Sequence, residues 1–414
     1  MLKLKVLRLD ICLKFIAVFL ALYLSATPIA GLFYIRWSII AFLIFAIIYF
    51  LKGNFLAKKQ SMQLYIIMAA LFLVTYILNK DNDLGHYVGR IINLTTAFFF
   101  CQIIAKDTFE DCFCKIMCWL AAFSLAIYVF FNIFPSAVWS LPMIVIGTGN
   151  ATKRLATVAC LHYFNINGSY EVMGEAWAGA EVVRNAGMFS EPGMYQLFLN
   201  FAILIYIIKL KNEADSDIQK GYLIRIALLG ITVCTTVSTT GIVVFICLML
   251  SLVFSSKGRA AISKSYRKYT VLRLLMPVII IGFIVGIIIV TPTVFGKFSP
   301  NAVNYGSYVA RSTNTLKDIN AWLNSPLWGI GITNYETYFA GTENGITCAL
   351  ACYGLPIVLI AIFAIYCYIK KECKGSAWLY FISFLFSLST QNIFFTLFMY
   401  IIYYYGFDGS KNDL

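Results

Sequence analysis

Two arginines and two glutamates stand where chemistry is possible: Arg184 with Glu191, and Arg311 with Glu343. The stretch "RNAGMFSEPGMYQLFLN" (184–200) sets a guanidinium and a carboxylate at the head of an apolar run. A guanidinium fork meets phosphate through two parallel hydrogen bonds, and the amides of a helix N-terminus reinforce such a grip. Ser190 can cap a helix whose first turn holds Glu191 and Pro192. At about 1.5 Å per residue, a helix from Glu191 to Ile208 extends roughly 27 Å, close to a bilayer core. Arg184 then stands just outside the membrane surface, and with the helix end it makes an anion seat. A plainer role is also open, in which Glu191 complements the helix dipole and pairs with Arg184.

The second pair sits in "SYVARSTNTLKDINAWLNSPLWGIGITNYETY". Val309, Leu316, Ile319 and Leu323 are spaced for one face of an amphipathic helix, with Arg311 in its first turns. Pro326, Gly329 and Gly331 then break the chain, and "GTENG" places Glu343 and Asn344 at the head of the next span. Arg90, in "LGHYVGRIINLTT", falls about seven residues into a span. Burying it there costs several kcal/mol unless it meets a partner or a wet cavity, and snorkelling to the headgroups is the alternative. Trp177, Trp328 and Tyr335 are candidate platforms for sugar rings, and also suit interfacial anchoring.

These residues need a frame, and composition supplies it. Hydrophobic residues make up 61% of the 414, charged residues 12%, and mean hydropathy is +0.81. A soluble core could not hide that much apolar surface, so lipid is the solvent. Apolar runs predict about twelve membrane-spanning helices, near 9–27, 34–51, 62–78, 84–105, 113–134, 188–208, 222–238, 240–254, 271–292, 345–369, 377–390 and 392–406. The seventh and eighth, and the last two, each could form one broken element. The expected fold is an all-α polytopic membrane protein, a single integral domain over 1–414, with the first helix retained.

With both termini cytoplasmic, 23 of the 32 basic residues fall on the inner side. That positive-inside bias accounts for the net charge of +13 without nucleic acid. Two long loops, 135–187 and 293–344, are then extracytoplasmic, and loops of that length are commonly functional. Each holds three basic and three acidic residues, so an anion site there depends on local placement of Arg184 and Arg311. "CFCKIMC" lacks paired zinc spacing, and two histidines leave little for a His-based metal centre. His86 and His162 are read as polar surface residues. "VSTTG" (237–241) reads as a turn whose hydroxyls satisfy freed backbone groups.

Taken in order, "RNAGMFSEPGMY", "VSTTG", "RSTNTLKDINAWLNSPLWGIGITNY" and "ENGITCALACYGL" resemble the motifs of bacterial O-antigen and capsular polysaccharide polymerases of the Wzy type, in a superfamily that includes the O-antigen ligases. The resemblance covers roughly 184–356. It implies an enzyme of the bacterial cytoplasmic (inner) membrane that joins repeat units carried on undecaprenyl pyrophosphate, without cofactor or required metal. It also implies partners of lipid-linked glycan and membrane lipid, with a flippase and a chain-length regulator as further partners. By position, Arg184 and Arg311 match motif arginines that grip pyrophosphate or saccharide, with Arg90 as a third cation. Glu191 and Glu343 are the candidate bases. The ligases tend to have histidine where this chain has Glu343, which favours polymerase. Ligation to lipid A–core and flipping of lipid-linked sugar are the alternative functions.

Overall fold

The computed structural model describes residues 2–32, 34–51, 58–148, 151–166, 174–177, 180–255, 258–260, 262–263, 305–338, 344–373 and 377–408. The expected span at 271–292 and Glu343 lie outside them. The chain divides into two compact units, Met1–Phe113 with Ala310–Leu414, and Cys114–Val309.

In the first unit, long apolar runs without Pro or Gly clusters make α1 (Leu2–Ala26), α3 (Tyr34–Leu51), α4 (Lys59–Asn79) and α5 (Leu84–Ile103), with the short α2 (Pro28–Leu32) after the first. The next helix, α6 (Lys106–Ile133), begins in this unit and continues into the second. Aromatic packing joins α3 to α5, with Phe45 edge-on to Phe100 at 5.4 Å and Tyr49 stacked on Phe99 at 5.0 Å.

The second unit holds the rest of α6, a 3-10 turn at Pro135–Ser140, five strands, and α7 (Pro192–Asn212), α8 (Ser216–Thr235) and α9 (Thr239–Phe254). The strands are β1 (Met143–Thr148), β2 (Ala151–Val158), β3 (His162–Ile166), β4 (Gly174–Trp177) and β5 (Ala180–Val183). They form an antiparallel sheet β1-β2-β3 and a β4-β5 hairpin. A purely helical reading did not anticipate these strands, which fill the first long loop. Residues 143–148 and 151–158 are rich in Ile, Val and Thr, which suit a half-buried pleat. Phe131, Val138, Ala156 and Phe164 make the small core beneath the sheet. In this unit α7 is buried from Tyr195 to Ile208, a run that is apolar apart from Gln196 and Asn200.

The chain returns to the first unit with α10 (Tyr305–Asn324), α11 (Ile332–Tyr338), α12 (Gly345–Tyr353), α13 (Leu355–Glu372), α14 (Ala377–Ser389) and α15 (Leu397–Phe407). The single span expected at 345–369 is therefore two helices. Gly354 between them has φ +79°, and a Cβ there would collide with the Leu327 carbonyl. The last pair is likewise two helices, parted by an irregular segment at 390–396. α15 is buried from Leu397 to Gly406, so its carbonyl end needs partners inside the protein. Lys371 Nζ supplies them, donating to Tyr405 O at 3.2 Å and Gly406 O at 2.7 Å.

Among the described residues, α4, α6, α7 and α8 are long and apolar enough to cross a membrane, and five shorter helices are also apolar. The protein is thus mostly helical, with membrane character written in its helices.

Candidate functional site

In the second unit the "RNAG" segment meets Thr235 and Thr236, which lead into "VSTTG". Asn185 is fully buried. Its amide donates to Ser124 Oγ at 3.3 Å and Thr235 Oγ1 at 3.0 Å, its side-chain carbonyl accepts from Gly187 N at 3.0 Å, and its backbone N–H donates to Thr235 O at 3.0 Å. Arg184, half-buried beside it, donates Nε to the Thr236 carbonyl at 3.1 Å. A single chain segment is thereby bolted to the turn between α8 and α9. That turn is strained, because the β-branched Val237 sits at φ +49°. Such a conformation costs about 1–3 kcal/mol and persists only where the surroundings enforce it. After the turn, Ser238 caps α9 by accepting from Gly241 N at 3.4 Å. Gly241 lies so close to α7 that a Cβ would come within 2.7 Å of the Gln196 Cβ.

Glu191, rather than Ser190, occupies the cap position of α7, with Pro192 opening the helix. The Ser190 hydroxyl donates instead to Met194 Sδ at 3.6 Å. The Glu191 carbonyl accepts from Met194 N and Tyr195 N at 3.0 and 3.1 Å. Its carboxylate makes no cap hydrogen bond, and at that position it complements the positive helix end.

The sheet reaches the same segment, since Tyr163 N donates to Gly187 O at 2.8 Å. One strand residue departs from expectation. His162 is a core residue, not a surface one: it is 0% exposed, neither ring nitrogen has a hydrogen-bond partner among the described residues, and its ring lies 4.7 Å from that of Phe164. Burial pushes its pKa down to about 3, so it is neutral at physiological pH.

In the first unit, α10 to α12 form a second constellation. Arg311 is on the exposed side of α10. Buried on the same helix is Asp318, which accepts from Tyr335 OH at 2.8 Å and from Thr347 Oγ1 at 2.6 Å. This bond corrects the role expected of Tyr335: at 5% exposure it is a core residue and offers no open ring for a sugar. Trp328 is half-buried, and its carbonyl accepts from Asn79 Nδ2 at 3.2 Å. Asn344 caps α12, its side chain accepting from Ile346 N and Thr347 N at 3.2 and 3.3 Å. The Trp177 side chain, like Glu343, lies outside the described residues.

Arg90 does not stretch to a headgroup layer. Its Nε donates to Tyr353 OH at 3.2 Å and its Nη1 to Phe395 O at 2.9 Å. It therefore ties α5 to the end of α12 and to the irregular segment before α15.

Asp81, which carried no sequence-based expectation, organises the turn between α4 and α5. Its buried carboxylate accepts from Ile332 N at 2.6 Å, Thr333 N at 3.2 Å and Tyr87 OH at 3.0 Å, and from the Thr333 hydroxyl. Burial would raise its pKa. The bonds from Thr333, Asp83 N and Tyr87 outweigh burial and hold the pKa below the usual carboxylate range. A signal for it existed, because the helix after "GIGIT" has glycine where a capping side chain belongs, so its cap had to come from elsewhere.

Arg184 and Glu191 thus belong to the second unit, and Arg90, Arg311, Trp328 and Tyr335 to the first. The chain matches no protein-family model and no curated protein sequence.

Proposed function

We propose that this protein polymerises lipid-linked oligosaccharide repeat units into surface polysaccharide, acting as a metal-independent glycosyltransferase at the outer face of the bacterial cytoplasmic membrane. The observation that carries the reading is the fixing of Arg184 Nε on the Thr236 carbonyl, beside a fully bonded Asn185. An arginine anchored through Nε has its guanidinium plane set in advance. A preset cation costs no reorganisation when charge develops on a bound phosphate.

A glycosyl pyrophosphate already carries a good leaving group. The acceptor hydroxyl oxygen attacks the anomeric carbon of the growing chain. The bond from that carbon to the phosphate oxygen breaks, and undecaprenyl pyrophosphate departs with the electron pair. Arg184 and Arg311 neutralise the charge that grows on the phosphate, and a carboxylate, Glu191 or Glu343, takes the hydroxyl proton. Both termini are cytoplasmic in this reading.

The test supplies purified protein with lipid-linked repeat units alone. A ladder of products supports polymerisation. Transfer that requires a lipid A–core acceptor assigns ligation instead, and no product with movement of the lipid across a bilayer assigns transport. Glu343→Gln is expected to abolish the ladder while the protein still inserts, and an unchanged ladder removes Glu343 from the base role.

A further inference from the structure

A different cluster carries metal-ligand chemistry. Asp83, His86 and Glu336 offer one ligand atom each, and the three atoms lie within 4.8 Å of one another. All three belong to the first unit, and the positions come from two distant segments.

Each is positioned by local structure. Asp83 caps α5, one oxygen accepting from His86 N at 3.0 Å while the other lies 2.6 Å from His86 Nδ1. Residues 83 and 86 are thus one helical turn apart on the same end. Glu336 follows one turn into α11. That helix cannot drift from the turn, because Asp81 binds the amides of its first two residues, Ile332 and Thr333. The scaffold of the cluster is built by a fourth residue that is not itself among the three.

The charge balance favours a cation. Asp83 and Glu336 bring two carboxylates, and Asp81 adds a third in the same turn. One imidazole, which carries at most a single charge, faces them. A set of one nitrogen and two carboxylate oxygens suits zinc better than calcium or magnesium, which prefer all-oxygen shells. Ligand atoms around a tetrahedral zinc at ~2.1 Å lie about 3.4 Å apart, so binding requires the Asp83–His86 contact to open from 2.6 Å and the exposed Glu336 side chain to turn in. The side chains of Asp83 and His86 are 39% and 37% exposed, which leaves room for water in the remaining position.

We propose that Asp83, His86 and Glu336 form a structural site for a zinc-like divalent transition-metal ion that staples α11 to the turn between α4 and α5. The ion takes the place of the Asp83–His86 contact, and any proton it displaces passes to solvent. The ion takes no part in glycosyl transfer.

The test uses tag-free, full-length protein in detergent, stripped of metal and titrated with zinc chloride, with magnesium and calcium chlorides as controls. The wild type is expected to bind one zinc per chain and to melt at a higher temperature when loaded. His86→Gln and Glu336→Gln each weaken binding at least tenfold and abolish the rise in melting temperature, while their metal-free melting temperatures confirm folding. The proposal is overturned if the wild type binds no zinc, or if both variants retain the same affinity, as they would were zinc held by the free cysteines. It is equally overturned if magnesium or calcium binds as tightly as zinc.

Discussion

Two side chains gain their roles from hydrogen bonds that only the folded chain reveals, and a third from burial. Arg184 was conspicuous in the sequence, yet its partner, a backbone carbonyl at Thr236, has no side-chain signature. Because Nε is committed to that carbonyl, Arg184→Lys should lower polymerising activity at least tenfold: an ammonium cannot hold Thr236 and present a fork at once. Activity within twofold of wild type would contradict that. Asp81→Asn replaces an acceptor of several hydrogen bonds with a group that has only one carbonyl oxygen. It should cost about 1.5–3 kcal/mol, read as a lower melting temperature and faster amide exchange in α11. His162 makes a pH-dependent prediction. Its folded pKa, about 3, lies below its ordinary 6.5, so the unfolded strand takes up a proton that the folded one refuses. Stability is therefore fully present above pH 6.5 and falls as pH drops through the window toward 3. From pH 7 to pH 5 the loss is roughly 2 kcal/mol, and His162→Phe should abolish it. Hydrogen exchange of the β2 and β3 amides at the two pH values measures the difference.

At the level of elements, hydropathy located most helices because lipid-facing and buried runs are both long and apolar. It failed where a break is made by one residue. Gly354 looked tolerable inside an apolar stretch, but its positive φ and its contact with the Leu327 carbonyl make it the end of α12. Gly354→Ala should destabilise the α12–α13 junction by more than the ~1 kcal/mol of an ordinary glycine substitution, since it adds a collision to the conformational strain. A melting temperature equal to wild type would refute that. The strands β1–β5 escaped notice because the pattern was read at helical and membrane-span periods, in a loop taken to lie in water. α10 shows another limit of patterning. Of the apolar stripe that the spacing predicted, Val309, Leu316 and Leu323 are exposed and Ile319 is half-buried, whereas Asp318 is buried. A helix in water would turn the other way. This orientation suits a helix whose apolar side meets lipid and whose polar side meets Tyr335 and Thr347. The acid was legible as a letter, but its partners, 17 and 29 positions away, were not.

For the whole molecule, composition points to a membrane protein, and the described helices long and apolar enough to cross a membrane agree with it. Function is a further step, because the proposal asks both Arg184 and Arg311 to serve the leaving phosphate. Neither local geometry nor hydropathy supplies that link. The direct measurement is chain growth from lipid-linked repeat units by purified wild type, Arg184→Ala, Arg311→Ala and the double variant, with insertion and melting temperature checked for each. The account predicts a product ladder for the wild type, its loss in both single variants, and little additional loss in the double variant, because residues acting as a unit are non-additive. A full ladder from either single variant would contradict it.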